Sequence, residues 1–431
     1  MTTPHIVIAG GGYVGLYTAL GLQRSLRQDE ARVTVVEPRS AMTYQPFLPE
    51  AAAGNLEPRH VVVPLRKTLS RCQVLTARVV GIDHARRTVR LEPPEGAPYD
   101  LGYDELVIAF GSISRTMPIP GLADNAMGFK QIEEAIALRN QALERLEVAA
   151  SVHDEEVRRS ALTFVFVGGG YAGVEALAEI EDMVRFATRY YETIRESDLR
   201  FMLVEMSDHI LPEVGPKMGR YTVNSLRERG IDVRLGTKLV SCVDKHIVLS
   251  DGEEFGADTI VWTAGVKANP VAGQSDLPVD DRGRVKALAN LRVDGADNAW
   301  TAGDNAAVPD LTKPGSYCTP NAQHAVRQAR LLAKNIVRDL RGEAVVDYRH
   351  KYVGSVASLG LHKGVAQVYG IKVRGFPAWF MHRTYHMSRM PTFNKKVRVV
   401  LDWTLALFFR RDIVSLGALQ RAQNDFRRAN D

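Results

Sequence analysis

The sequence predicts an α/β fold with two similar parallel-sheet units and a separate amphipathic region towards its C-terminal end. Two observations predict the paired units. A strand, a glycine-rich loop and a helix open the chain, and the same series of elements returns in its middle. A third observation, a basic and aromatic stretch after residue 346, predicts the C-terminal region.

The first unit begins with a short strand that runs directly into a glycine-rich loop. Residues 6–9 are apolar and mostly β-branched, which is typical of a buried parallel strand. Gly10, Gly12 and Gly15 then form the pattern G-x-G-x-x-G before an apolar helical run at 16–22. The first glycine permits a tight turn, the second admits a pyrophosphate to the backbone, and the third lets helix and strand pack closely.

An acidic residue at the end of the next strand supports a ligand-binding role for this loop. Residues 33–36 form the second strand signature, and Glu37 follows. A carboxylate at this distance accepts hydrogen bonds from a ribose, while the pyrophosphate lies at the helix N-terminus. An isolated glycine pattern is also compatible with a simple tight turn. The terminal acid favours a Rossmann-like dinucleotide-binding domain.

The second unit repeats this arrangement. Its glycine pattern has the same spacing and is formed by Gly168, Gly170 and Gly173. Tyr171 stands where Tyr13 stands in the first pattern, and an apolar strand again precedes the loop. Two such fingerprints in one chain indicate two bound dinucleotides.

The second unit also has a terminal acid, and this residue discriminates between nicotinamide cofactors. The strand at 201–204 ends in Glu205, as the corresponding first strand ends in Glu37. A carboxylate there accepts hydrogen bonds from a ribose diol and repels a 2′-phosphate. Met206 and Ser207 follow, and neither is basic. NADH is therefore favoured over NADPH.

Other strand ends carry small or polar residues suited to a ligand. These candidate cofactor contacts are Gly111, Ser112, Gly265, Gly303 and Asp304. Glycine at a strand end lets a ligand approach the backbone. The aspartate is able to bind a polyol hydroxyl of the kind found in the ribityl chain of a flavin, and capping of the next turn is its alternative role.

A proline-rich apolar loop at residues 43–50 has two interpretations. It is either a packed surface loop or a cover over a flat cofactor ring, and the second interpretation makes Pro46 a candidate cofactor contact.

Composition places the chain among ordinary globular proteins. It has 431 residues, 45% hydrophobic and 24% charged, enough for two to three domains. It has no uninterrupted apolar run of transmembrane length, and the strand at residue 6 leaves no room for a cleavable signal peptide. Cys72, Cys242 and Cys318 are far apart, so neither a redox dithiol nor a metal site is indicated.

The C-terminal region is strongly basic. From residue 346 onward there are 15 Lys and Arg against 5 Asp and Glu, which suggests an anionic partner such as phospholipid. Within residues 395–411 a mainly apolar set recurs at helical spacing, formed by Val397, Val400, Leu401, Thr404, Leu405 and Phe408. Aromatic and basic residues, Arg410 among them, flank this stripe, as in a helix that lies on a membrane surface. The alternative is packing on its own protein or on a second copy in a homodimer. No nucleic-acid motif is present.

Together these motifs resemble the two-dinucleotide flavoprotein disulfide reductases, without their active cysteines, and within them the type II NADH:quinone oxidoreductases. The resemblance covers nearly the whole chain. The two glycine fingerprints and the run T-A-G-D at 301–304 are shared across the superfamily. The run A-Q-H-A at 322–325 and the segments 356–360 and 375–379 are similar to this family in particular.

The resemblance implies which residues bind each group. FAD is expected at the first fingerprint and Asp304, and NADH at the second fingerprint and Glu205. Ala322 and Gln323 are expected to line a pocket for a membrane quinone.

The resemblance also implies that Glu179 is a proton relay near the flavin ring. Glu175 lies one helical turn away, so both carboxylates face the same way. A carboxylate with a raised pKa there would supply protons to a reduced quinone. Without the resemblance, a helix glutamate paired with Arg or Lys is the alternative.

One position departs from the family pattern. The family continues A-Q-x-A-x-Q, whereas this chain has Arg327 at the second Gln position and Gln328 one residue later. One residue along a helix rotates a side chain by about 100°. Gln328 is therefore not expected to replace the amide, and Arg327 becomes a candidate contact for a quinone oxygen or a lipid phosphate.

The expected domains are an FAD domain from 1–115 and 275–345, an inserted NADH domain at 116–274, and a quinone and membrane region at 346–431. The expected location is peripheral, on the cytoplasmic face of the cell membrane. Three alternatives stay open: a sulfide:quinone oxidoreductase, which needs cooperating cysteines, a soluble reductase with a protein acceptor, and a flavin-bound redox sensor or scaffold.

Overall fold

The computed structural model describes residues 3–350, 353–409 and 411–416. Its α-helices are α1 Tyr13–Ser25, α2 Leu48–Ala52, α3 Leu65–Thr68, α4 Leu122–Asn125, α5 Ile132–Ser151, α6 Glu155–Ala161, α7 Tyr171–Ala187, α8 Pro216–Arg227, α9 Ala322–Leu340, α10 Phe376–Arg389 and α11 Phe393–Phe408.

The strands follow in chain order. They are β1 His5–Ala9, β2 Arg32–Val36, β3 Ala41–Thr43, β4 Val62–Pro64, β5 Gln73–Leu75, β6 Arg78–Asp83, β7 Thr88–Glu92, β8 Tyr99–Gly102, β9 Glu105–Ile108, β10 Ser112–Ser114, β11 Ala126–Met127, β12 Thr163–Val167, β13 Arg200–Glu205, β14 Asp232–Leu235, β15 Leu239–Ser241, β16 His246–Leu249, β17 Glu254–Gly256, β18 Thr259–Trp262, β19 Val266–Ala268, β20 Val285–Lys286, β21 Ala299–Thr301, β22 Ala306–Ala307, β23 Gly354–Ser358, β24 Gly364–Val368 and β25 Ile371–Arg374.

The chain divides into two compact units. The first contains Met1–Thr43, Val63–Ile113 and Val266–Tyr352, and the second contains Tyr44–Val62, Ser114–Gly265 and Val353–Asp431. Residues 44–62 therefore belong to the second structural unit, although the predicted FAD domain includes them. The functional domain boundaries stay a prediction.

The first unit is built on a five-stranded parallel sheet in the order β21-β9-β1-β2-β5. The central strand β1 is buried along its whole length, and its residues Val7 and Ala9 share a hydrophobic cluster with Val79 of β6 and Val89 of β7. Helices α1 and α9 pack against each other, and a Cβ on Gly21 would lie only 2.5 Å from the Cβ of Ala333. This close packing holds the N-terminal part of α9 beside the first glycine loop.

The second unit repeats the sheet. Its parallel order is β11-β18-β12-β13-β14, with β12 at the centre. The rings of Phe164 and Phe201 stack at 4.7 Å between neighbouring strands of this sheet. An antiparallel sheet β23-β24-β25 and helices α10 and α11 complete the unit. The predicted α/β class with two parallel-sheet units is confirmed.

The chain between residues 132 and 161 forms two helices, α5 and α6, because the Asp154 side chain accepts hydrogen bonds from the amides of Glu156 and Val157 and starts α6. One local prediction was wrong. The predicted loop at 43–50 is a 3₁₀ turn, Gln45–Phe47, followed by α2. Its apolar residues are buried, which favours compact helical turns over an open loop.

The C-terminal amphipathic segment forms α11, close to its predicted extent, and Arg410 lies outside the described residues. Within the part of the chain that the structure describes, no helix has both the length and the apolar character needed to cross a bilayer.

Candidate functional site

The first glycine loop has the backbone that its sequence predicts. Gly10 adopts φ +113°, and its amide donates to the carbonyl of Val36 at 2.8 Å. A Cβ on Gly15 would collide with the carbonyl oxygen of Gly10, so helix α1 approaches the strand only because a side chain is missing. Around Gly12, an added Cβ would meet none of the described atoms within 4 Å, which leaves the start of α1 open to a ligand.

Glu37 is fixed at this loop by backbone hydrogen bonds. Its Oε2 accepts from the amide of Gly11 at 2.7 Å, and its Oε1 accepts from the amide of Arg39 at 3.2 Å. Burial raises the pKa of the Glu37 carboxyl, and the two amides counteract part of that rise. The carboxylate is therefore held in place at the end of β2 before any ligand binds.

The second glycine loop has the same geometry. Gly168 adopts φ +115°, and a Cβ on Gly173 would collide with the Gly168 carbonyl oxygen. Glu205 Oε2 accepts from the amide of Gly169 at 2.6 Å, and its Oε1 accepts from the amide of Ser207 at 2.7 Å. Gly170 is open in the same way as Gly12 among the described atoms.

The strand-end candidates of the first unit come together at the start of α1. Ser112 Oγ donates to Asp304 Oδ2 at 2.8 Å. Gly111 donates from its amide to Asn305 Oδ1 at 2.9 Å. Gly303 adopts φ +75°, and a Cβ there would lie 2.6 Å from Val14 Cγ2. The T-A-G-D run thus lies against the first turn of the glycine-motif helix.

The quinone-site candidates lie at the start of α9 in the first unit. Ala322 is exposed, and the Nη1 of Arg327 donates to the Gln323 carbonyl oxygen at 3.2 Å and to Gln323 Oε1 at 3.4 Å. Gln328 is buried, and its Oε1 accepts from the Gly303 amide at 2.8 Å. Gln328 therefore faces the T-A-G-D run, and Arg327 is the residue beside Gln323.

The remaining cofactor candidates have simple positions. Tyr13 and Tyr171 are the first residues of α1 and α7. Gly265, with φ +90°, follows β18 in the second unit, as Gly111 follows β9 in the first. Pro46 lies in the 3₁₀ turn of the second unit. A flavin contact for Pro46 stays a prediction.

Both loops fit a dinucleotide. Each presents a glycine at the N-cap, Gly12 or Gly170, and neither helix start carries a described side-chain cap. The amides of that turn and the helix dipole are therefore available to a pyrophosphate. The duplicated carboxylates supply a ribose acceptor, so the donor set suits two dinucleotides, FAD and NADH among them.

A buried carboxylate lies on α7, inside the second unit. Glu179 is fully buried, accepts from Asn55 Nδ2 at 2.9 Å through Oε2, and accepts from Ser358 Oγ at 3.2 Å through Oε1. Burial, supported by the negative charges of Glu50 and Asp182, raises the pKa of Glu179 to about 7. A carboxyl with that pKa holds and releases a proton near neutral pH.

Glu175 shares a partner with Glu179. The amide of Ser358 donates to Glu175 Oε1 at 2.8 Å, and His382 Nε2 lies 3.1 Å from the same oxygen. Burial and the neighbouring His382 lower the pKa of His386 well below its usual range. The structure thus brings both predicted glutamates into one cluster with partners from β23 and α10.

Sequence reasoning missed most of this cluster. The additional residues are Glu50, Asn55, Ser358, His382 and Arg383. They come from segments more than a hundred residues away from α7 along the chain, so no local periodicity joins them. The one available signal was Ser358, which lies inside the C-terminal run that resembled the family.

Comparison with known proteins defines the class first. The family model for pyridine nucleotide-disulphide oxidoreductases matches residues 4–329 of the chain. The two glycine loops and parallel sheets described above are contained in that range.

Individual relatives define the family more narrowly. The type II NADH:quinone oxidoreductase of Staphylococcus aureus is 31% identical over 391 residues, which cover 88% of this chain and 93% of that protein. A probable NADH dehydrogenase from Dictyostelium discoideum is 29% identical over 419 residues, covering 95% of this chain and 91% of that protein. The chain belongs to the type II NADH:quinone oxidoreductase family and is an enzyme of the oxidoreductase class.

The fold has a solved counterpart. The chain is similar to NDH2 from Plasmodium falciparum in complex with NADH, with a TM-score of 0.88 and 18% identity, covering 96% of this chain and 100% of that one. At this identity the likeness shows the fold. The predicted family and fold class are confirmed.

The three cysteines, all in the described part of the chain, are free thiols. Burial raises the pKa of Cys72 and of Cys318 to about 11, so neither thiol is ionised at neutral pH. This disfavours the thiol chemistry that a sulfide:quinone oxidoreductase needs.

Proposed function

We propose that this chain is an FAD-dependent NADH:quinone oxidoreductase that delivers two electrons to a membrane quinone without pumping protons. The observation that carries the proposal is the duplication of a complete dinucleotide site, with a glycine loop and a fixed carboxylate in each unit. When bound, FAD supplies the chemistry, because a flavin accepts a hydride from NADH and gives up two electrons.

The first unit contributes the residues for FAD. Gly10, Gly12 and Gly15 give the pyrophosphate access to the α1 N-terminus, and Glu37 offers its carboxylate to the ribose. Asp304, whose Oδ2 accepts a hydrogen bond from Ser112 Oγ, is assigned to a hydroxyl of the flavin side chain.

The second unit contributes the residues for NADH. Gly168, Gly170 and Gly173 repeat the pyrophosphate site, and Gly265 leaves its strand end open. Glu205 accepts a ribose diol and repels a 2′-phosphate, which supports NADH over NADPH.

Protons for the reduced quinone are assigned to the buried carboxylates. Glu179 retains a proton near neutral pH and shares Ser358 with Glu175. Gln323 is assigned to the quinone oxygen as a hydrogen-bond donor. Arg327 adds a fixed positive charge beside Gln323, which stabilises an oxygen that gains negative charge.

An anaerobic titration of the flavin absorbance tests the function. NADH is added first, NADPH is tried separately, and a ubiquinone or menaquinone analogue follows. We expect rapid bleaching by NADH, slow bleaching by NADPH and recovery with quinone. Bleaching without recovery would contradict the quinone assignment and favour a protein acceptor or a sensor role.

We also propose that α11 attaches the protein to the cytoplasmic face of the membrane. One face of the helix is held by the second unit: Val399 is buried, Asp402 contacts His60 at 2.6 Å, and Lys395 Nζ donates to the Arg59 carbonyl oxygen at 2.5 Å. The predicted stripe is on the other face, where Leu405 is 55% exposed. An outward apolar stripe beside lysines suits an anionic lipid surface.

A flotation assay with vesicles of phosphatidylglycerol and phosphatidylcholine tests this attachment. Leu405→Glu should reduce vesicle binding by about tenfold or more, because it places a charge in the apolar face. The control is Leu311→Glu, which changes a leucine that is 38% exposed in the first unit. Equal binding of both variants would contradict the proposal. A loss of dimers in Leu405→Glu by sedimentation would assign the face to a second copy instead.

A further inference from the structure

Glu50 is the centre of a buried polar cluster that joins three helices. Its carboxylate, at the end of the first turn of α2, accepts from Arg383 Nε at 3.2 Å and from Arg383 Nη2 at 2.8 Å. Trp403 donates from its indole Nε1 to Glu50 Oε2 at 2.8 Å. Glu50 is 1% exposed, so this charge is compensated by its protein partners instead of by water.

Aromatic rings enclose the cation of this cluster. The Arg383 guanidinium lies 4.2 Å from the ring centre of Trp379 and 5.0 Å from that of Trp403. The ring of Trp403 also packs in a T-shaped arrangement with the fully buried ring of Phe47, with ring centres 5.6 Å apart. Helix α11 therefore contributes the side chain of Trp403 to the surroundings of the ion pair.

The cluster is connected to Glu179 by bonds and by charge. The Glu50 carbonyl oxygen accepts from the amide of Asn55 at 2.9 Å, and the Asn55 side chain donates to Glu179 at 2.9 Å. The charged groups that act on Glu179 are Glu50 of α2, Asp182 of α7, Arg383 of α10 and Arg411 after α11. Glu175 shares the partner Ser358 with Glu179, and His382 of α10 contacts Glu175.

We propose that Glu50, held between Arg383 and Trp403, is a positioning residue that sets the proton affinity of Glu179. The packing of α10 and α11 around Glu50 then controls how readily Glu179 takes up and releases its proton. This inference rests on the proposed function only where it treats the proton of Glu179 as a source of protons for the quinone. The coupling itself concerns four residues of the second unit.

The direction of each effect follows from the charges. The negative Glu50 favours the neutral form of Glu179, and the positive Arg383 favours its anion. Removing the charge of Glu50 therefore makes Glu179 release its proton at lower pH. Removing the indole donor leaves the charge of Glu50 less compensated, so Glu179 keeps its proton to higher pH.

Infrared titration of the holoenzyme measures this directly. The carbonyl stretch of protonated Glu179 is identified by its loss in Glu179→Gln, and its midpoint is followed with pH. We expect Glu50→Gln to lower the midpoint by about one pH unit and Trp403→Phe to raise it by less. Trp403→Phe keeps the Glu50–Arg383 ion pair, so the test does not depend on the folding of Glu50→Gln.

Matched controls exist in the first unit. Trp300 Nε1 donates to the buried Glu105 at 2.8 Å, the same kind of pair in another place. Glu105→Gln and Trp300→Phe should leave the Glu179 midpoint unchanged. An unchanged midpoint in Glu50→Gln, or an equal shift in the controls, would overturn the coupling.

The role of Glu179 in quinone reduction is judged by a separate result. Full quinone turnover in Glu179→Gln would contradict that role, while the infrared shifts would still support the coupling.

Discussion

The two glycine-motif helices, α1 and α7, start identically and then differ in what they bury. Both loops have the same turn, at Gly10 or Gly168, and the same close contact between helix and strand. In both, a glutamate carboxylate, Glu37 or Glu205, accepts a hydrogen bond from a glycine amide of the loop. Further along, α1 has Gly21 where α7 has Glu179. In the first unit the missing side chain lets α9 approach closely, whereas in the second the carboxylate is buried with its own hydrogen-bond partners.

This difference lies in what each part of the two helices requires. The shared part needs backbone geometry, which glycine provides in both units. The part that differs needs charge, and a buried carboxylate is stable only where other segments supply donors. We infer that the first helix serves binding alone and that the second adds proton chemistry to binding.

The largest test of the comparison replaces the third glycine of each loop. Gly15→Val and Gly173→Val both force a side chain onto a carbonyl oxygen, so each should cost several kcal/mol locally. We expect Gly15→Val to purify with little flavin. Gly173→Val should keep its flavin but lose bleaching by NADH by about a hundredfold, or 2.7 kcal/mol. Flavin loss in both variants to the same extent would break the assignment of the two sites.

The second test uses the acid that only α7 carries. The pKa of Glu179 is raised from 4.5 to about 7, so its contribution to stability is fully present below pH 4.5 and is lost as the pH rises through about 7. Glu179→Gln should remove this loss, on the order of 3 kcal/mol, from denaturant unfolding curves measured across that window. Parallel pH profiles of variant and wild type would contradict the raised pKa.

A third test compares the two ribose carboxylates. Glu205→Gln should lower the preference for NADH over NADPH, measured as a ratio of kcat/KM values, by about tenfold because repulsion of the 2′-phosphate is lost. Glu37→Gln is the matched control and should leave that ratio unchanged while it weakens flavin retention. If instead Glu37→Gln lowered the preference for NADH and Glu205→Gln weakened flavin retention, the assignments of the FAD and NADH sites would have to be exchanged.

The smallest test concerns a hydroxyl that the first unit lacks. Thr263 Oγ1 donates to the carbonyl of Val167 at 3.0 Å, and Ala109 occupies the equivalent strand-end position in the first unit. Thr263→Val keeps the shape of the side chain and should cost about 1 kcal/mol of unfolding free energy. Ala109→Ser, tested in parallel, adds a hydroxyl at the equivalent position of the first unit. If such a hydroxyl stabilises only the second loop, Ala109→Ser should not raise the unfolding free energy.

Prediction from sequence was most successful where the physical requirement is local. The spacing of Gly10, Gly12 and Gly15 prescribes a turn and a helix start within six residues, and the structure has both. The loop predicted at 43–50 was wrong, because its apolar residues are buried and form a 3₁₀ turn and the short helix α2.

The sequence by itself determined the two parallel-sheet units, their glycine loops and the terminal acids, since strand periodicity and glycine geometry depend on neighbouring residues. Tertiary structure alone decided which carboxylates are buried and what holds them. Glu50, Asn55 and Ser358 meet Glu179 only after α2, α7 and β23 have packed, and desolvation depends on that packing. The same holds for α11. Which of its faces points inward depends on the contacts of Trp403 with Glu50 and Arg383.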